Sequence, residues 1–172
     1  TQRCPEKKVA VIEAGHALAR RHCPIDGEKV KTCIGCKTCS IMSGFGGAGA
    51  FSDGKYNITN DFGGTLFEYI GKRQALELMR YVDEINMRYG GAGTKLYTTA
   101  GTQFKKACIQ HDLHLLDASV RHLGTDINYV VLENLYNYLK DKVDFFFDTP
   151  VEKVEIVDGG YEVVTTKETF TC

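Results

Sequence analysis

The sequence predicts an α/β fold with a helical middle and a C-terminal β-ribbon, on three observations. The run Lys8 to Ala14 (KVAVIEA) is apolar, closes on Glu13 and is followed by Gly15, which is how a buried parallel strand leaves a sheet. Between Thr65 and Tyr89, the residues Leu66, Tyr69, Ile70, Leu78, Val82, Ile85 and Tyr89 recur at three- and four-residue steps before Gly90-Gly91 stops them. After residue 143 the chain changes to short β-rich runs.

The elements follow in order. The first strand ends at Glu13, and Ala17 to Arg21 forms a helical turn. Cys23 to Ser43 has no period and carries Pro24 and Asp26-Gly27, so it is an irregular excursion. The helix over 65–89 breaks near Gly71. A second helix runs from about Thr102 to His111, a strand spans Leu113 to Val120, and Asp126 caps a third helix with Tyr129, Leu132, Leu135, Tyr136 and Leu139 on one face. Asp144–Phe147, Val151–Val157 and Tyr161–Thr166 are strands, the last two joined by the hairpin signal Asp158-Gly159-Gly160. Alternation of Val151, Lys153 and Glu155 against Val154 and Ile156 predicts a half-buried ribbon.

A chain of 172 residues is one ordinary domain in size, and 21 basic against 22 acidic residues leave a net charge of −1. That balance offers no footprint for nucleic acid or a membrane surface, and no apolar run reaches spanning length. The expected setting is cytoplasmic, and the expected partner is a small-molecule substrate or electron donor. The chain opens Thr1-Gln2-Arg3-Cys4 without an initiator Met, which suggests an internal fragment.

Five glycines between Gly44 and Gly54 make the run Gly44–Lys55 (GFGGAGAFSDGK) the most distinctive segment, predicted to be neither helix nor strand. Glycines let several backbone N–H groups approach a phosphate or flat ring, while Phe45 and Phe51 argue against a flexible linker. It reads as a packed, ligand-facing loop.

Seven cysteines, an odd number with no secretory signal, argue against a disulfide scaffold. Cys23, Cys33, Cys36 and Cys39 fall within seventeen residues and supply four soft ligands. The two-residue gaps suit an iron–sulfur cluster, a C-x-x-C pair suits one arm of a tetrahedral zinc, and Cys33 with Cys36 suits thiol–disulfide exchange. Cys108 and His111 share a helix face but His114 falls in the expected strand, so the three are not expected to bind metal. His122 beside Arg121, in a loop between strand and helix, is a candidate proton donor, the alternative being a histidine that packs or caps the next helix.

VIEAG at Val11–Gly15, the glycine loop, VRHLGTD at Val120–Asp126 and TPVEKVEIVDGGYEVVTT at Thr149–Thr166 resemble, in order and spacing, the FAD-dependent dehydrogenases and oxidoreductases with a glutathione-reductase-like flavin domain, within an uncharacterised bacterial branch. The resemblance implies an incomplete FAD/NAD(P)-binding Rossmann-like domain with a helical insertion. Its parts are a second-strand region (1–22), the Cys-rich excursion (23–43), the flavin loop (44–64), a mainly helical region (65–142) and the ribbon (143–172). It implies FAD as cofactor, with Glu13 accepting hydrogen bonds from the adenosine ribose. Gly44, Gly46, Gly47, Ala48, Gly49 and Gly54 would run along the pyrophosphate and ribityl chain, and Ser52 or Asp53 would bond ribityl or ring atoms. Lys55 would balance negative charge, and the Val151 main chain would meet adenine. The family's first strand with G-x-G-x-x-G is missing here, so the resemblance implies a protein longer at both ends, with weak FAD binding by this stretch alone. The alternative to a flavin enzyme is a metal–thiolate electron-transfer or binding module.

Overall fold

The computed structural model describes residues 1–27 and 29–172, with helices and strands interleaved in a mixed α/β chain. The chain divides into two compact units, Thr1–Phe51 with Leu132–Cys172, and Ser52–Val131. Among the described residues, no helix is long and apolar enough to cross a membrane.

In the first unit, β1 (Ala10–Ile12) pairs in parallel with β5 (Asp144–Phe146), in the register Val11 opposite Phe145. Two further bonds extend the pairing past the end of β1: Asp148 N–H donates to Gly15 O at 3.0 Å and Thr149 N–H to Glu13 O at 2.9 Å. A 3₁₀ turn over Leu18–Arg20 follows, and Cys23 to Ser43 contains no helix or strand among its described residues, as expected. β6 (Val151–Val157), β7 (Gly160–Thr165) and β8 (Thr169–Thr171) form an antiparallel sheet in that order. The Asp158-Gly159-Gly160 hairpin closes it, with Gly159 at φ 86°, a value that favours glycine.

The ribbon's alternation is present, but its burial is not. Val154 is 58% and Ile156 85% exposed along β6, whereas β7 is half-buried and Phe170 of β8 packs on Phe146 of β5 at 4.6 Å.

In the second unit, β2 (Lys55–Ile58), β4 (Ser119–His122) and β3 (Leu96–Thr98) form an antiparallel sheet in the order β2-β4-β3. The predicted amphipathic helix is α1 (Leu66–Ile70) and α2 (Lys72–Asn86), broken at Gly71, whose φ is 81°. A π-turn over Met87–Gly91 ends it. Its apolar stripe is only partly covered, with Leu78 and Val82 exposed beside a fully buried Ala75. Strands of three and four residues span about 10–13 Å, too short to cover a fifteen-residue helix of about 22 Å. α3 (Phe104–Gln110) matches the second expected helix, and α4 (Gly124–Leu139) the third.

Several boundaries differ from expectation. The strand foreseen over Leu113–Val120 begins only at Ser119. Threonine hydroxyls instead satisfy the backbone just before it: Thr59 Oγ1 donates to Asp117 O, Thr99 Oγ1 donates to Leu116 O, and Ala118 N–H donates to Thr99 Oγ1, all at 2.8–2.9 Å. Arg121 and His122 therefore lie in β4 and not in a loop. α4 starts at Gly124, so Asp126 is in its first turn, where its charge complements the helix dipole, and is not the cap. The glycine loop contains a 3₁₀ turn over Gly47–Phe51. β2, β3 and β8 carried too few apolar residues to be read as strands.

Candidate functional site

The first unit brings Glu13 and the glycine loop together. Glu13 Oε1 accepts two backbone N–H groups, from Gly15 at 2.8 Å and Gly44 at 2.9 Å. A carboxylate oxygen has two lone pairs, so these contacts fill Oε1, and among the described residues no hydrogen bond reaches Oε2. The end of the first parallel strand is thereby tied to the start of the loop, thirty-one residues on. Gly15 permits this approach, since a Cβ there would stand 2.5 Å from Gly44 N.

Arg21 holds the rest of the loop. Its side chain comes from the 3₁₀ turn after Leu18 and is 2% exposed. Nε donates to Ser40 O at 2.9 Å, Nη2 to Ile41 O at 2.9 Å, and Nη1 to both Phe45 O and Gly47 O at 2.7 Å. The guanidinium also stands 4.8 Å from the Phe51 ring centroid, a cation–π distance. Burial lowers its pKa from the ordinary arginine value, and the charges of Glu13 and Cys39 oppose that shift. Four main-chain carbonyls converge on one cation, which fixes the path of a glycine-rich segment that would otherwise be floppy.

Phe45 is the third anchor. Its ring lies 5.3 Å from Tyr136, 5.8 Å from Phe145 and 6.5 Å from Phe147, all edge-on, so the loop is pinned to β5 and α4 by an aromatic cluster. Its N–H donates to His16 O at 3.0 Å. His16 Nδ1 pairs with Asp148 Oδ1, and Arg20 reaches the other oxygen of Asp148 at 3.3 Å.

A cavity of about 260 Å³ opens over this assembly, lined by Glu13, Gly44, Gly46 and Gly47 together with Val11, Phe145 and other apolar residues. Two of its glycines serve the protein itself: a Cβ on Gly44 would strike Arg21 and His16, and one on Gly46 would meet Leu132 at 2.9 Å. Gly47 is different. At φ 58° a Cβ there would meet nothing within 4 Å, so its missing side chain leaves room for a ligand. Gly49 also faces open space, and neither it nor Ala48 lines the cavity. Val151 sits opposite Thr165 at the start of β6, half-exposed and outside the cavity lining.

The remaining expected residues belong to the second unit. Ser52 Oγ accepts Gly54 N–H at 3.2 Å, and Lys55 Nζ pairs with Asp53 at 2.7 Å. That bond to Lys55 holds the Asp53 carboxyl below the usual range, with smaller contributions from the charges of Lys55 and His122. Gly54 is required locally, since a Cβ would come within 3.0 Å of Gly124 O. Arg121 is committed: Nε and Nη2 grip Asp83 at 2.6 and 2.8 Å, and Nη1 donates to Thr94 O at 2.6 Å. His122 is exposed at the end of β4, in register with Lys55.

Cys23, Cys33, Cys36 and Cys39 are all reduced and line one small cavity. Among the described residues, no three His, Cys, Asp or Glu side chains converge as a ligand group. Sequence reading missed Arg21, because an arginine in a helical turn carries no local sign that its fork will gather carbonyls up to twenty-six residues away. The chain matches no protein-family model and no curated protein, so the geometry of the site is what bears on function.

Proposed function

We propose that the chain is part of an FAD-dependent oxidoreductase, with the Glu13–glycine-loop cavity as the seat of the adenosine half of the cofactor. The supporting observation is a strand-end carboxylate with one oxygen unoccupied, beside a cavity whose glycine Gly47 leaves open volume. At about 260 Å³ the cavity is smaller than the roughly 300–1,000 Å³ of complete ligand pockets, which suits part of a dinucleotide.

In this reading Glu13 Oε2 accepts the ribose hydroxyls, and its charge disfavours a 2′-phosphate. The apolar wall formed by Val11 and Phe145 takes a flat base. Arg21 and Phe45 hold the loop in advance of binding, which spares the ligand the entropy of ordering it. In the second unit, Arg121 is taken up by Asp83 and keeps its strand in place. When bound, FAD supplies hydride or electron transfer toward a small-molecule substrate.

The test is the visible spectrum of the protein produced from its own gene, followed by FAD titration of two variants. Flavin absorption is expected. Glu13→Ala should weaken FAD by about 1–3 kcal/mol, or ~5- to 150-fold in Kd, and Gly47→Val should abolish retention by filling the open volume. Apo-protein melting curves of both variants separate a collapsed loop from lost ligand contacts. A colourless protein that gains no flavin when FAD is added would overturn the proposal.

A further inference from the structure

Cysteine is among the residue types most often buried, yet Cys33, Cys36 and Cys39 are exposed and Cys23 is half-buried, and all four are reduced. Chance exposure of four unrelated thiols would scatter them. Here all four line a single cavity of about 40 Å³ whose other walls are mostly aliphatic, with Ile25, Val30 and Ile34 among them. Four sulfur donors gathered along one chamber are the donor set of a thiophilic cation.

The backbone of this segment supports the same conclusion. Its two ends are tied: Gly27 N–H donates to Cys23 O and Lys29 N–H to Pro24 O, while Met42 and Ser43 N–H both donate to Cys39 O. Between them, residues 30–38 make no backbone–backbone hydrogen bond among the described residues, and this untied stretch carries Cys33 and Cys36. Irregular loops of this length inside compact units are uncommon unless something other than secondary structure holds them. Two thiols thus stand on anchored ends and two on a pliable middle. Arg21 donates to the carbonyl of Ser40, the residue after Cys39, which adds to the anchoring of that end of the segment.

We propose that Cys23, Cys33, Cys36 and Cys39 are the ligands of a mononuclear tetrathiolate centre, a structural zinc ion that clasps the 23–43 loop beside the glycine loop. The thiols line the chamber without closing on one point, so binding draws Cys33 and Cys36 inward on the untied middle while Cys23 and Cys39 stay with their anchors. Each thiol releases its proton as it binds the metal. Four thiolates complete the coordination of a single tetrahedral ion with no further ligand. Four thiolates with no open position describe a structural site and not a catalytic one. This proposal stands apart from the flavin reading and does not depend on it.

The test uses the protein from its own gene, stripped of metal with a chelator under reducing conditions and titrated with Co²⁺ as a coloured stand-in. The expected result is saturation near one equivalent, with thiolate-to-cobalt charge transfer and tetrahedral bands that added Zn²⁺ abolishes. Zn²⁺ should also protect four of the seven cysteines from a maleimide reagent. Cys33→Ser and Cys36→Ser should lose the tetrathiolate spectrum, while Cys108→Ser, outside the cluster, should keep it. The maleimide and cobalt readings on the unmodified protein stand even if a serine variant fails to fold. The proposal is overturned by seven thiols equally reactive with and without Zn²⁺, by an unchanged cobalt spectrum in Cys36→Ser, or by purified protein holding several irons with acid-labile sulfide.

Discussion

Two arginines are withdrawn from solvent, one in each unit, and they are used in opposite ways. Among the described residues Arg21 meets no carboxylate; its donors go to the carbonyls of Ser40, Ile41, Phe45 and Gly47. Arg121 meets Asp83 through two parallel bonds and reaches one carbonyl, Thr94 O. Their pKa shifts run in opposite directions for that reason. Burial lowers that of Arg21, whereas the hydrogen bonds to Asp83 raise that of Arg121 against its own desolvation. A guanidinium that gathers carbonyls shapes an irregular loop, because carbonyls exist at every residue and need no particular sequence. A guanidinium clamped on a carboxylate joins two regular elements, here β4 and α2.

The largest effect expected from breaking this comparison belongs to Arg21→Ala. Four half-buried carbonyls lose a charged donor at about 1–3 kcal/mol each, and with sub-additivity the destabilisation should be ~4 kcal/mol. Hydrogen exchange should show lost protection at residues 40–47 with the β2-β4-β3 sheet unaffected; equal loss in both regions would mean that Arg21 is not a local clamp. Next comes Arg121→Ala, which strands Asp83 at 12% exposure and should cost ~3 kcal/mol. Its exchange signature should be the mirror image, confined to β3, β4 and α2. Protection retained there would show that the pair adds little beyond the strand ladder.

The smallest effect sharpens the picture of Arg121's neighbour. Tyr56 lies opposite Arg121 in the β2–β4 register and donates its hydroxyl to the buried Asn128 Oδ1 at 2.6 Å. Tyr56→Phe should cost ~1 kcal/mol at neutral pH. Burial raises the Tyr56 phenol above its ordinary value of about 10, so the folded state keeps its proton where the unfolded chain has lost it. Stability from this group is therefore complete below pH ~10 and falls as pH rises through the raised value. The gap between Tyr56→Phe and the unmodified protein should narrow in urea titrations above that pH, and a gap that widens would contradict the assigned burial.

Residues close in sequence were legible, and residues brought together from afar were not. The 3.6-residue period marked α2 and α4, Gly71 and Gly90-Gly91 marked their interruptions, and Asp158-Gly159-Gly160 marked the hairpin, because each of these is decided within a few residues of backbone conformation. Glu13 and the glycine loop were both singled out. That one carboxylate oxygen ties them together was not visible, since it depends on a contact across thirty-one residues. β2 and β3 were missed because short strands with few apolar residues take their identity from the neighbour they pair with, which is β4 in both cases. The apolar face of α2 was read correctly as a face, and β6 was expected to be half-buried but is exposed, because periodicity records where apolar side chains point and not whether anything covers them.

By itself, then, the sequence determined the mixed α/β character, the order of most elements, the glycine-rich segment as a place of close backbone approach, and the grouping of four cysteines. Tertiary structure alone decided that Arg21 holds the glycine loop, that Arg121 is bound to Asp83, that Gly44 and Gly46 serve packing while Gly47 faces open space, and that the four thiols share one chamber. The division has one physical cause. Backbone propensity and periodicity act locally along the chain, whereas hydrogen-bond partners and cavities form between segments whose meeting is set by the packing of the whole unit.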